Sequence, residues 1–170
     1  MDHKAFLFSY QPFRQELLPL IEDSLATGNL APLQRFVDTN LAVLRSPYSG
    51  KPLKVTWRSL LETESVDEYG DFALTKYYDP RLDIGLCGAW QTLNAKVADL
   101  GWKFSPILGR PIGNSDRVFD PGKMGTYFQT ESEVIEGLLM LQGLRNTLFD
   151  PMIRILEEAA QGKMGLFVTF

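Results

Sequence analysis

A chain of 170 residues, 45% hydrophobic and 22% charged, is long enough to bury roughly two-thirds of its unfolded surface, and that balance excludes disorder. A formal charge of −4 with a pI near 5.0 gives no global attraction to phosphate backbones, so nucleic acid is not an expected partner. No run approaches 18 apolar residues, so no membrane span is expected; with one cysteine, Cys87, no internal disulfide is possible, and a reducing, cytoplasmic setting follows.

The N-terminus, MDHKAFLFSYQPFRQ, has neither a hydrophobic signal core nor a small-residue cleavage site, so no secretory signal is expected. A short strand fits Ala5–Ser9. From about Pro12 to Thr27 the apolar positions Phe13, Leu17, Leu20, Ile21 and Leu25 share one helical face, with Pro19 placed to kink or divide the helix. Asn29 can cap a second helix carrying Leu33, Phe36, Val37, Leu41 and Leu44, and the brief Gly28–Asn29 link predicts an antiparallel pair.

Pro47 to Pro52 reads as a turn. Leu53, Val55 and Trp57 then alternate with polar residues as in a half-buried strand, while Ser59-Leu60-Leu61 breaks the alternation and lets a short helix compete. Five carboxylates follow within ten residues: Glu62, Glu64, Asp67, Glu68 and Asp71. They read as a solvated loop or as an acidic face for a basic partner. FALTKYY, residues 72–78, has strand composition.

The segment Asp79–Trp102 predicts a buried central helix. Leu82, Leu86, Trp90, Leu93, Val97 and Leu100 recur at steps of three and four, with Asp79 as N-cap, Pro80 at the first position and Gly101 after the end. Cys87 takes the register of a buried small hydrophobe. Gly85 and Gly88 are costly inside a helix; they point to close backbone approach by a neighbour or to a helix that starts near Gly88.

Residues 103–129 form an irregular, locally basic stretch with three prolines and four glycines, a length that tends to be functional or mobile. Short strands at Arg117–Phe119 and Thr126–Gln129 are expected within it. Thr130-Glu131-Ser132-Glu133 is a capping box opening a helix through Val134, Leu138, Leu141, Leu144 and Leu148. Asp150-Pro151 starts a last helix closed by Gly162, and Leu166–Phe170 suits a final strand. The expected fold is α+β: about five helices on a small, mostly antiparallel sheet, in one domain spanning residues 1–170.

Chemistry is narrowed mainly by what is missing. The lone histidine, His3, reads as a disordered terminal side chain. With no other histidine, a Ser-His-Asp triad, a Cys-His pair or a histidine-rich metal site would have to use His3, and all three are set aside on that ground. Gly109–Gly113 and Gly122-Lys123-Met124 lack the residues of a phosphate loop, and no dinucleotide signature is present. Paired carboxylates remain open for glycoside hydrolysis, with Asp79, Asp83, Asp116 and Asp120 as candidates; Asp79 suits a helix cap better, and Asp120-Pro121-Gly122 suits a turn. No catalytic residue, metal ligand or cofactor is assigned.

Two functions are expected. The first is a non-enzymatic interaction protein, in its specific form an inhibitor or immunity-type protein, meeting a basic protein through Glu62, Glu64, Asp67, Glu68 and Asp71. The second is a small-molecule binding or carboxylate-dependent hydrolytic domain with its site under the 103–129 loop, drawing on Tyr77, Tyr78, Arg110, Arg117, Asp120 and Tyr127, since aromatics with arginine commonly build pockets and anchors.

Overall fold

The computed structural model describes residues 1–114 and 116–170. Among them, ten regular elements follow in chain order: β1 (Lys4–Phe8), α1 (Tyr10–Glu16), α2 (Leu18–Thr27), α3 (Ala31–Asn40), α4 (Val66–Leu74), α5 (Trp90–Ala98), β2 (Thr126–Gln129), α6 (Glu131–Gly143), α7 (Asp150–Gly162) and β3 (Gly165–Thr169). Single 3-10 turns occupy Trp57–Leu60 and Thr147–Phe149. This is an α+β fold, with seven α-helices and a three-stranded antiparallel sheet in the order β1-β3-β2.

The sheet organises everything else because its two faces feed two different cores. Alternate side chains of a strand point to opposite faces. Phe6 and Phe128 lie opposite Phe167 in the register, giving a row of three rings with centroids 5.8 and 5.3 Å apart. This row, with Phe8, joins the apolar faces of α1 to α4 in one cluster. Leu7 and Leu166 point the other way, to a second cluster built on α5, α6 and α7. Each fully buried phenylalanine removes enough apolar surface to contribute roughly 2–3 kcal/mol.

The first helical run divides as Pro19 requires, though at Leu17, because proline is tolerated in the first turn of the next helix. Phe13, Leu17, Ile21 and Leu25 nonetheless keep one buried face across the break. Gly28 ends α2 in the left-handed conformation, at φ 75°, and α2 packs on α3. The Thr130 capping box is complete: the hydroxyl accepts from Glu133 N at 3.1 Å, and the Glu133 carboxylate accepts from Thr130 N at 3.0 Å.

Several expectations are corrected. Asp79–Trp102 is helical only over Trp90–Ala98, and the centre of the molecule is β3 instead. Residues 83–87 run along β1: Ile84 N donates to Ala5 O, and His3 and Cys87 exchange backbone hydrogen bonds of 3.1 Å. Gly85 permits this approach, since a Cβ there would sit 2.1 Å from His3 O. Asp79 folds back to cap Arg81 N in a turn, and Leu82 is 65% exposed. Cys87 is therefore an exposed thiol at φ 49° rather than a core residue.

The 72–78 segment, expected as a strand, is the end of α4 and the turn after it. Arg117–Phe119 makes only an isolated bridge between Gly113 and Val118. For Leu53–Trp57 the competing helical turn prevails, leaving Val55 at 80% exposure. Finally, His3 is not a loose terminus: it is fully buried, with Nε2 3.1 Å from Ile107 O and Nδ1 accepting from Leu86 N at 3.2 Å.

Candidate functional site

The acidic stretch explains how the site is made. Ser65 Oγ accepts from Glu68 N at 3.2 Å and starts α4, with Asp67 and Glu68 in the first turn, where the helix dipole favours negative charge. Glu68 turns back to accept from Glu62 N and Thr63 N at 2.9 and 2.7 Å. Asp67 accepts from Asp120 N at 2.8 Å. One turn further along the helix, Asp71 has neither use.

Asp71 lines a cavity of about 240 Å³ at the edge of the sheet, together with Lys4, Phe6, Tyr48, Tyr78 and Phe167. Its side chain is 9% exposed, and among the described residues it makes no hydrogen bond or ion pair. A buried ionised carboxylate without a partner is expensive, so such groups shift toward protonation. Burial, reinforced by Glu68 and Asp67, pushes the Asp71 carboxyl up to about 7. Tyr48 is pushed up to about 12 by burial and by Asp71, Glu68 and Glu62. Tyr78 rises well above its ordinary value through burial, Asp71 and Tyr48. Both phenols thus lie within the electrostatic reach of the same carboxyl.

Both lips of the cavity are fastened to α4. On one side Thr75, after the helix, donates to Phe72 O at 2.7 Å and accepts from Arg45 N at 3.0 Å, fixing the turn that carries Pro47 and Tyr48. On the other, Gly70 gives the ring of Phe119 its place, since a Cβ there would stand 2.4 Å from that ring. Asp120 next to it accepts from Gly125 N and Thr126 Oγ1, which fixes the loop whose Pro121 and Gly122 line the cavity. The floor is the aromatic face of the sheet: Tyr78 packs 4.8 Å from Phe6 and 4.9 Å from Phe167, centroid to centroid.

The two residue sets expected from sequence meet here in one member each, Asp71 and Tyr78. Glu62 and Glu64 are exposed, while Asp67 and Glu68 are occupied within the fold. Tyr77 is buried elsewhere and donates to Glu16 at 2.9 Å. Arg110 pairs with Glu133 at 2.5 Å, Arg117 donates to Leu25 O, and Tyr127 sets its edge against Phe170. Asp120 stands beside the lip as a loop anchor. The 103–129 residues named for a pocket therefore do not converge on one. Sequence reasoning missed Tyr48, and Ser65-x-x-Glu68 was the overlooked signal that the acidic stretch opens a helix.

Among the described residues, no group of three or more His, Cys, Asp or Glu side chains is placed to hold a metal ion, and no helix is long and apolar enough to cross a membrane. Comparison with known proteins finds no matching family model, no matching curated protein and no matching solved structure. Fold and site together define an α+β domain with an acidic, aromatic-walled cavity fixed to one helix.

Proposed function

We propose that this chain is a non-enzymatic, cytoplasmic binding protein whose partner is a protein with a basic surface, and that the partner presents a basic group to the Asp71 cavity. The supporting observation is the unpartnered, buried carboxyl of Asp71 facing that cavity; groups held so far from their ordinary titration are concentrated at functional sites. Glu62 and Glu64, both exposed, extend negative charge near Tyr48, whose titration Glu62 perturbs. An inhibitor or immunity role is the specific form of this reading. The hydrolytic alternative draws less support: Asp83, the other aspartate lining the cavity, accepts from Ala5 N and Gly85 N at 3.1 and 2.8 Å and so serves as a loop fastener.

The test is capture of interacting proteins on immobilised protein, identified by mass spectrometry, with Asp71→Asn and the double variant Glu62→Lys, Glu64→Lys beside the wild type. A basic protein retained by the wild type and lost from the Asp71 variant supports the proposal. The same proteins retained equally by all three sink it.

A further inference from the structure

We infer that the cavity is built for an alkylammonium group, a lysine-type side chain or a small primary amine, held by the Asp71 carboxylate among the aromatic side chains of Phe6, Tyr48, Tyr78 and Phe167. This rests on the reading of the cavity as a binding site and names its ligand.

Size comes first. At about 240 Å³ the space falls below the roughly 300–1,000 Å³ of drug-sized ligand sites, so it admits a few heavy atoms. Charge comes next. The groups at the cavity are Asp71, the phenols of Tyr48 and Tyr78, Asp83, and Lys4, with Glu68 and Asp67 behind Asp71 on the same helix. Asp83 and Lys4 are exposed, so water screens them, and the phenols are held neutral, while Asp71 is buried and, among the described residues, has no ion-pair partner. A cation seated against it would supply the missing counter-charge.

Wall chemistry then separates kinds of cation. Aromatic faces attract an ammonium through the ring quadrupole. Asp71 and the two tyrosines that line the cavity with it offer acceptors to a group with three N–H donors, whereas a guanidinium needs a broader planar site for its two-pronged contact. The narrow aromatic cavity suits the compact ion.

Binding a cation to a carboxyl that titrates near neutrality releases a proton. Affinity should therefore rise about tenfold between pH 6 and pH 8, a range in which a primary amine stays charged. A ligand that instead accepts a hydrogen bond from the neutral acid would show the reverse slope.

The experiment is calorimetric and NMR titration of the full chain with n-butylammonium, with n-butanol as its neutral counterpart, with guanidinium, and with N-acetyl-lysine N-methylamide. The expected result is saturable n-butylammonium binding that perturbs Phe6, Tyr48 and Tyr78 resonances, strengthens with pH, and weakens at least tenfold in Asp71→Asn. Tyr78→Phe, which keeps the ring, should lose a few-fold. Comparable or tighter binding of the lysine derivative identifies a protein side chain as the source; binding of n-butylammonium alone identifies a free amine. Equal binding of butanol and butylammonium, preference for guanidinium, a falling pH slope, no binding, or unchanged affinity in Asp71→Asn would overturn the inference. If the ammonium probes fail while partner capture still depends on Asp71, the ligand class is wrong and the binding reading stands; if both fail, the binding reading falls too.

Discussion

His3 and Asp71 are both buried titratable groups, and they pull the stability of the protein in opposite directions with pH. The imidazole donates through Nε2 to Ile107 O and accepts at Nδ1 from Leu86 N, an arrangement only the neutral ring can make. Burial lowers its affinity for a proton below the ordinary 6.5, so the unfolded chain binds that proton first. Its contribution is present above pH 6.5 and is lost as pH falls through the lower folded value. Asp71 is raised from 3.8 to about 7, so its contribution is full below pH 3.8 and disappears as pH rises through 7. The shift corresponds to a stability loss of about 4 kcal/mol once the carboxyl is ionised. Asp71→Asn should therefore stabilise the protein by about 2 kcal/mol at pH 8, less than the full shift because an amide there is still unpaired, and should gain nothing at pH 4. Urea unfolding at the two pH values checks this; equal effects at both would show that Asp71 does not carry the charge penalty. His3→Gln should flatten the loss of stability between pH 7 and pH 5, read from the same midpoints.

Elements were legible where local chemistry decides and illegible where a distant chain segment decides. The first strand, β2, the last strand and the Thr130 capping box were all readable, because alternation and capping are properties of neighbouring residues. Leu82 and Leu86 continued a helical rhythm, yet the chain there follows β1; spacing cannot report that a strand 80 residues away offers its backbone. The acidic stretch was hard to read for a related reason. Carboxylates mark solvent in a sequence, but Glu68 is buried by satisfying two amides and Asp71 by facing a cavity. As for the site, one residue of each expected set, Asp71 and Tyr78, lines the cavity, and what brings the two together is the sheet floor, which no local pattern encodes. Two glycines measure the same distinction. A Cβ at Gly85 meets the backbone of His3, Lys4 and Ala5, while one at Gly88 meets nothing within 4 Å. Gly85→Ala should cost more than about 2 kcal/mol, since backbone cannot yield as a side chain can. Gly88→Ala should be neutral or stabilising by about 0.5 kcal/mol, through the unfolded chain. Thermal unfolding of the pair decides it, and similar losses in both would mean that the 83–87 segment does not lie against β1.

At the scale of the molecule, β3 is the piece both cores share. Phe167 belongs to the cluster on α1 to α4, and Leu166 to the cluster on α5 to α7, so neither helical layer has its floor without that strand. A chain ending at residue 164 should lack the cooperative unfolding transition of the whole; an intact sigmoidal melt monitored by circular dichroism would show that one helical layer stands alone. The placement also sets a schedule for synthesis. The hydrogen-bonding partner of β1 lies some 160 residues downstream, a length that at typical elongation rates takes on the order of 10–30 s to make. Through that interval Phe6 and Phe8 lack the ring of Phe167 that they pack on, so the aromatic row of the sheet cannot close until β3 has been made.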